Sequence, residues 1–167
     1  MSSSALLTKA LVKQVADILK PSIEAIIALD PSRSVACVAV LDPTIPYDHQ
    51  FINRDDPLLW QESFGEPDKT KWKNPYDEFA LKKAHLSWRT GLPSHLVQRH
   101  QPHLLLKEDF KFGGSVCYEG IIVGTSGLAW HHDLAISGLF ASTLHAFVIG
   151  AFEVDLARKP YFVGLPE

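Results

Sequence analysis

The sequence contains little cysteine and lacks the patterns that mark the common catalytic and nucleic-acid-binding classes. Its 167 residues include two cysteines, Cys37 and Cys117. Both lie in apolar, strand-like segments, which favours reduced core residues over a disulfide or a metal pair. The net charge is −3 and no basic block is present, so we expect no nucleic-acid partner. A nucleophile elbow and a phosphate-binding loop are also missing.

Signals for export and membrane insertion are equally weak. The N-terminal Met-Ser-Ser-Ser has no basic region and no cleavage pattern, so the sequence predicts a cytoplasmic protein. Residues 134–152 carry no charge and approach the length of a membrane span. However, serines, glycines and His145 lower the hydrophobicity of this segment, and no Lys/Arg cluster flanks it. We therefore interpret it as a buried helix and expect no membrane partner.

The segments that are present predict one α/β domain over residues 1–167. Residues 6–29 have a helical apolar pattern in which Pro21 predicts a kink or a new helix start. Residues 34–41 predict a strand. Residues 42–74 are irregular and predict a long surface loop, in which residues 51–52 are the candidate for a short strand. A helix from Asn74-Pro75 to Gly91 and a short helix up to residue 100 follow.

The most informative stretch is residues 112–150, which predicts a hairpin that leads into a helix. Two short runs rich in Val and Ile, residues 115–118 and 121–125, meet at Glu119-Gly120, which suits a tight turn. A hairpin near the end of the chain and helices at both ends predict a layered α/β sandwich. Its sheet should be largely antiparallel, should have five or fewer strands and should be flanked by the first and last helices.

The last helix carries two ridges of different character. Bulky side chains form one ridge: Ile136, Phe140, Leu144, Val148 and Phe152. Small residues recur every four positions on another face: Gly138, Ser142, Ala146 and Gly150. The bulky ridge suits packing on the sheet, whereas the small ridge allows close approach of a second helix. In a chain this short that helix could belong to another subunit, so we expect a homo-oligomer.

Chemistry-bearing groups concentrate where the second hairpin strand ends. The candidate ligand-binding residues there are Thr125, Ser126, Gly127 and Trp130, and the candidate catalytic residues are His131, His132 and Asp133. Hydroxyls and free N–H groups at a helix start can hold an anion or a carboxylate. The alternative is that Ser126 and Asp133 serve only the turn and the helix start.

Three further residues complete the candidate site. Glu119, at the other end of the hairpin, is an additional acid–base candidate, and Arg89 and Lys82 could meet a ligand carboxylate. The adjacent His131 and His132 diverge by about 100° on a helix and do not suit one shared metal ion, so no metal site is predicted. A single histidine can still exchange protons near neutral pH or bind haem iron.

Several short motifs, in order along most of the chain, resemble the GlcG/HbpS-like family and more distantly the UPF0303 proteins. They are the run at residues 77–84 before Thr90-Gly91-Leu92-Pro93, then Gly113-Gly114-Ser115-Val116, then Gly124-Thr125-Ser126-Gly127 with the later Asp133. The resemblance implies a profilin-like sandwich, a homo-oligomer and a small-molecule ligand, which is haem in some members. We expect no required cofactor, with haem as a possible ligand. The long loop at 42–74 and Trp130-His131-His132 depart from the family pattern.

Two functions remain open from the sequence. The first is a small-ligand-binding or carrier protein, for haem or another planar or carboxylate-bearing molecule. The second is a cofactor-independent isomerase, cyclase or lyase in which a histidine acts with Glu119 or Asp133 as general acid and base. A Soret band on haem titration that is lost on one histidine substitution would favour the first function.

Overall fold

A four-stranded antiparallel sheet forms the centre of the computed structural model, which describes residues 7–47 and 57–157. The strand order is β2-β1-β4-β3, and each neighbouring pair is antiparallel. The strands are β1 (Val35–Leu41), β2 (Leu58–Gly65), β3 (Ser115–Tyr118) and β4 (Ile121–Ser126). The helices are α1 (Lys9–Ala28), α2 (Tyr76–Thr90), α3 (Ser94–His100) and α4 (Trp130–Ala157).

Helices cover both faces of the sheet, which explains why every residue of β1 is buried. Side chains alternate across a strand, so Ala36, Val38 and Val40 face α1 and α4 in the larger core cluster. The intervening Cys37 and Ala39 pack with Tyr76 and Ala80 of α2. The predicted layered α/β sandwich, with the first and last helices on an antiparallel sheet, is confirmed.

The predicted long loop at residues 42–74 is wrong in its second half, which contains the eight-residue strand β2. This strand pairs with β1 from Val35 opposite Gly65 to Leu41 opposite Leu58. It lies at the sheet edge, is mostly half-buried and carries Gln, Glu and Ser, with no β-branched residue. Strand propensity therefore gave only a weak signal for it, from Trp60 and Phe64. The short strand predicted at residues 51–52 lies outside the described residues.

The helix boundaries match the predicted ones with two differences. Helix α1 runs continuously across Pro21, so no new helix starts there. Helix α2 begins at Tyr76 with Pro75 in the N-cap position and no side-chain cap. The predicted cap residue Asn74 contributes only its carbonyl oxygen, 2.9 Å from the Tyr76 nitrogen. Gly91 ends α2 in the left-handed conformation, as predicted, with a φ of 69°.

The hairpin turn is confirmed by its backbone conformation. Glu119 and Gly120 have φ angles of 47° and 81°, the left-handed pair that a two-residue antiparallel turn requires. The two strands pair in register from Tyr118 opposite Ile121 to Ser115 opposite Gly124. Both cysteines are free thiols, Cys37 buried and Cys117 half-buried, as expected.

Helix α4 uses its two ridges differently. Ile136, Phe140, Leu144 and Val148 are buried in the main core, as the sequence predicts for the bulky ridge. The small ridge is open, because a Cβ built on Gly138 or Gly150 would meet nothing within 4 Å. By length and composition alone, residues 130–154 are also apolar enough to cross a membrane. This is weak evidence for a membrane span. The predicted burial of the helix is confirmed for the bulky ridge only, because residues 142, 146, 147, 149 and 150 are exposed.

Candidate functional site

The end of β4 is a packed part of the core. Thr125 is fully buried, and its hydroxyl lies 2.8 Å from the hydroxyl of Ser137 on α4. Ser137 in turn donates to the carbonyl oxygen of Gly114 at 2.7 Å. Ser126 is also buried. A Cβ on Gly127 would lie 2.2 Å from the carbonyl oxygen of Val35. The three residues predicted to bind a ligand therefore fix the contact between sheet and helix.

Asp133 is buried in an ion pair that the sequence did not indicate. Its Oδ2 lies 2.8 Å from Nζ of Lys83 on α2, and both side chains are at most 2% exposed. Lys83 also donates to the carbonyl oxygen of Thr125 at 3.0 Å. The second carboxylate oxygen of Asp133 accepts the backbone N–H of Leu128 at 3.0 Å. One buried pair thus joins α2, the end of β4 and the first turn of α4.

The ionisation of this pair is governed by its burial. Removal from water disfavours both charges. Burial therefore raises the pKa of Asp133, and Lys83 opposes that shift. Burial lowers the pKa of Lys83, and Asp133 opposes that shift in turn. At 1% exposure, the Asp133 carboxylate has no direct route to a substrate.

Buried hydroxyls extend the polar network to α3 and β3. The Ser115 hydroxyl donates to the carbonyl oxygen of Lys83 at 2.6 Å and lies 2.8 Å from the Ser87 hydroxyl. The Ser94 hydroxyl accepts the backbone N–H of Ser115 at 3.1 Å. Buried polar groups with partners of this kind fix the arrangement of neighbouring elements. The network therefore fixes α3 against the start of β3 and both of them against α2.

The groups that reach the surface lie on α3 and in the first turn of α4, and we call them the imidazole–indole surface. Its members are His95, Arg99, Trp130, His131 and His132. The His95 ring stacks on the Trp130 indole with centroids 6.1 Å apart, and the Arg99 guanidinium lies 4.7 Å from the indole centroid. The rings of His131 and His132 are 4.4 Å apart. His131 is exposed, and His95, Trp130 and His132 are half-buried.

Two nitrogens of this surface have unmet hydrogen-bonding capacity. Nδ1 of His95 and Nδ1 of His132 are buried and have no hydrogen-bond partner among the described residues. Nearly all buried polar atoms in folded proteins have a partner. Burial lowers the pKa of His95, and the nearby Arg99 and His100 lower it further. His95 is therefore disposed to be neutral, with one ring nitrogen as donor and the other as acceptor.

The remaining predicted site residues lie apart from this surface or have internal contacts. Arg89 donates to the carbonyl oxygen of Leu104 at 2.8 Å and pairs with Asp109, which fixes the connector after α3. Lys82 lies over the Phe79 ring with its Nζ 6.0 Å from the centroid. Glu119 is at the hairpin turn, about 20 Å along β4 from its end, given about 3.3 Å per residue.

Sequence reasoning missed Lys83, His95, Arg99 and four of the buried serines, Ser87, Ser94, Ser115 and Ser137. A signal for Lys83 was available, because it lies three residues after Ala80 and four before Ser87, on the buried face of α2. His95 and Arg99 are four residues apart on a short helix. Only the tertiary contact with Trp130 shows that they belong to the same surface. No group of three or more metal-ligating side chains occurs among the described residues.

Comparison with known proteins gives no relative. No protein-family model, curated protein or solved structure matches this chain.

Proposed function

We propose that this chain is a small-ligand-binding protein of the GlcG/HbpS-like type, with its ligand at the imidazole–indole surface. The observation that carries the proposal is the pair of buried Nδ1 atoms of His95 and His132 without partners among the described residues. A ligand with a hydroxyl or carboxylate group could complete their hydrogen bonding. Arg99 provides a cation and Trp130 an aromatic ring beside His95.

These residues suit a planar anion, and haem is one ligand of that kind. The donor set contains an exposed imidazole, that of His131, as the candidate iron ligand, together with an indole and a guanidinium for the ring and its carboxylates. A bound haem would supply an iron able to take an imidazole nitrogen. Within the proposal, His95 and His132 hold and orient the ligand.

The enzyme alternative receives no support from the described geometry. Asp133 is buried against Lys83, and Glu119 lies at the far end of the hairpin. General acid–base catalysis needs a group within hydrogen-bond reach of the substrate proton. An isomerase, cyclase or lyase activity stays a prediction from sequence alone.

A titration of the purified chain with haem and with iron-free protoporphyrin tests the proposal. We expect haem to give a Soret shift, and we expect His131→Ala to remove it. The unmodified chain should bind protoporphyrin more weakly than haem, and His95→Ala should reduce that binding further. The matched control is His145→Ala, which removes a half-buried imidazole on the same helix, in contact with Tyr118. The proposal is contradicted if His131→Ala and His95→Ala bind both probes as well as the control His145→Ala does. It is also contradicted if the unmodified chain binds neither haem nor protoporphyrin.

We also propose that the chain is intracellular and self-associates through the open face of α4. Bulky residues of α4 are used in the core, whereas the small ridge has no contact at Gly138 or Gly150 within the described chain. Phe147, Ile149 and Val154 are exposed on the same helix, at 37%, 40% and 56%. A second copy of this helix would cover that largely apolar surface, which also includes the exposed Glu153.

A further inference from the structure

We infer that Lys83 is the positioning residue of the imidazole–indole surface and acts on it through Asp133. This inference rests on the proposed function and identifies the residue that fixes the shape of its site. Lys83 reaches from α2 to Asp133 Oδ2 at 2.8 Å and to the Thr125 carbonyl oxygen at 3.0 Å. The other Asp133 oxygen holds the Leu128 N–H at 3.0 Å.

The ammonium group of Lys83 has little room to move. A Cβ on Gly114 would lie 2.9 Å from Lys83 Nζ and 2.9 Å from Asp133 Cβ, so the backbone of Gly114 is packed directly against the pair. The Phe110 ring covers the same ammonium group, with its centroid 5.5 Å from Nζ. Lys83 therefore holds Asp133 in one position.

That position is transmitted to the surface through one helical turn. Trp130, His131 and His132 directly precede Asp133, and the N–H groups of His132 and Asp133 both donate to the Ala129 carbonyl oxygen, at 2.9 and 3.0 Å. A displaced Asp133 would move all three rings relative to His95. A buried ion pair is often no more stabilising than apolar residues of similar size, which favours a positioning role.

The test compares Lys83→Met, the double variant Lys83→Met/Asp133→Leu and the control Ser137→Ala. The double variant removes both buried charges together, so it should fold. Ser137→Ala removes a buried hydroxyl of α4 that hydrogen-bonds to Thr125 and Gly114 and leaves both charges of the pair in place. The measurements are haem affinity and the imidazole ¹⁵N–¹H resonances of His131 and His132 without ligand, with those of His145 as an internal reference.

We expect the double variant to bind haem about 10-fold more weakly or worse. The resonances of His131 and His132 should shift or broaden, while those of His145 and the control variant stay unchanged. A folded double variant with unchanged affinity and resonances would overturn the inference, and so would a double variant that does not fold. If the unmodified chain binds no haem, the proposed function fails, and the resonances alone decide the role of Lys83.

Discussion

At the scale of single residues, the chain places one lysine and one aspartate where neither is easily accommodated. Lys83 and Asp133 are buried to within 2%. Each charge loses its hydration. The loss is offset by the partner charge, by the Thr125 carbonyl and Leu128 N–H, and for Lys83 by the Phe110 ring. Such a pair tolerates removal of both charges better than removal of one.

This asymmetry predicts the outcome of a mutant cycle in chemical denaturation. Lys83→Met should lower the free energy of unfolding by about 3–5 kcal/mol, because Asp133 is left as an unpaired buried carboxylate. Lys83→Met/Asp133→Leu should recover most of that loss. Lys82→Met is the matched control, since its side chain is only partly buried, and it should change stability by at most about 0.5 kcal/mol. A double variant as unstable as Lys83→Met would contradict the argument.

His95 predicts a pH dependence of stability with a definite sign. Burial lowers its pKa below the ordinary value of 6.5 in the folded chain. Below that pH the unfolded chain binds the proton more readily, so stability falls as the pH falls, until the folded pKa is passed. His95→Phe keeps a ring against Trp130 and should flatten this part of the melting-temperature profile. His103→Gln, at an exposed position, should leave it unchanged; matching profiles for all three proteins would refute the assignment.

At the scale of elements, the sequence predicted correctly those features that depend on residues close together in the chain. The hairpin turn at Glu119-Gly120, the stop at Gly91 and the buried ridge of α4 each depend on residues close in sequence. Strand β2 was missed because it is an edge strand with few strand-favouring residues, and its pairing with β1 is a tertiary property.

The candidate site was predicted only in part, for a related reason. The sequence indicated the cluster at residues 125–133, but not which members are buried. The burial of Asp133 depends on two distant segments: helix α2 brings Lys83 against it, and Gly114, just before β3, packs against both side chains. Among the two adjacent lysines, only the phase of the helix distinguishes buried Lys83 from Lys82, which was the one predicted to bind a ligand. His95 comes to the site by packing alone.

The close packing where β3, β4 and α4 meet predicts that alanine substitution destabilises the chain much more at Gly114 than at Gly120. Gly114→Ala would place a Cβ 2.7 Å from the Thr125 carbonyl oxygen at a φ of +135°. Backbone strain and overpacking together should cost at least about 2 kcal/mol. Gly120→Ala has a φ of +81° but no neighbour within 4 Å, so strain alone should cost about 1 kcal/mol. Urea denaturation compares them, and equal losses would count against the tight junction.

At the scale of the whole molecule, the chain covers both faces of its sheet but leaves one face of its longest helix open. Inside the described chain, the bulky ridge of α4 packs against the sheet and α1 in the main core. The opposite face combines small residues with exposed Phe147, Ile149 and Val154. We therefore treat this face as the proposed site of self-association.

If the chain self-associates through that face, a charged residue placed in the face should break the assembly. A charge at Ser142, which is exposed and at the middle of the small ridge, would be buried without a partner between two copies of α4. Light scattering should therefore show an assembly larger than a monomer for the unmodified chain and a monomer for Ser142→Glu, with the melting temperature of the monomer little changed. Ser22→Glu, on the exposed face of α1, is the control and should leave the assembly intact. A monomer at every concentration of the unmodified chain would contradict self-association. If that monomer floats with lipid vesicles in a density gradient, the open face binds a membrane instead of a second copy.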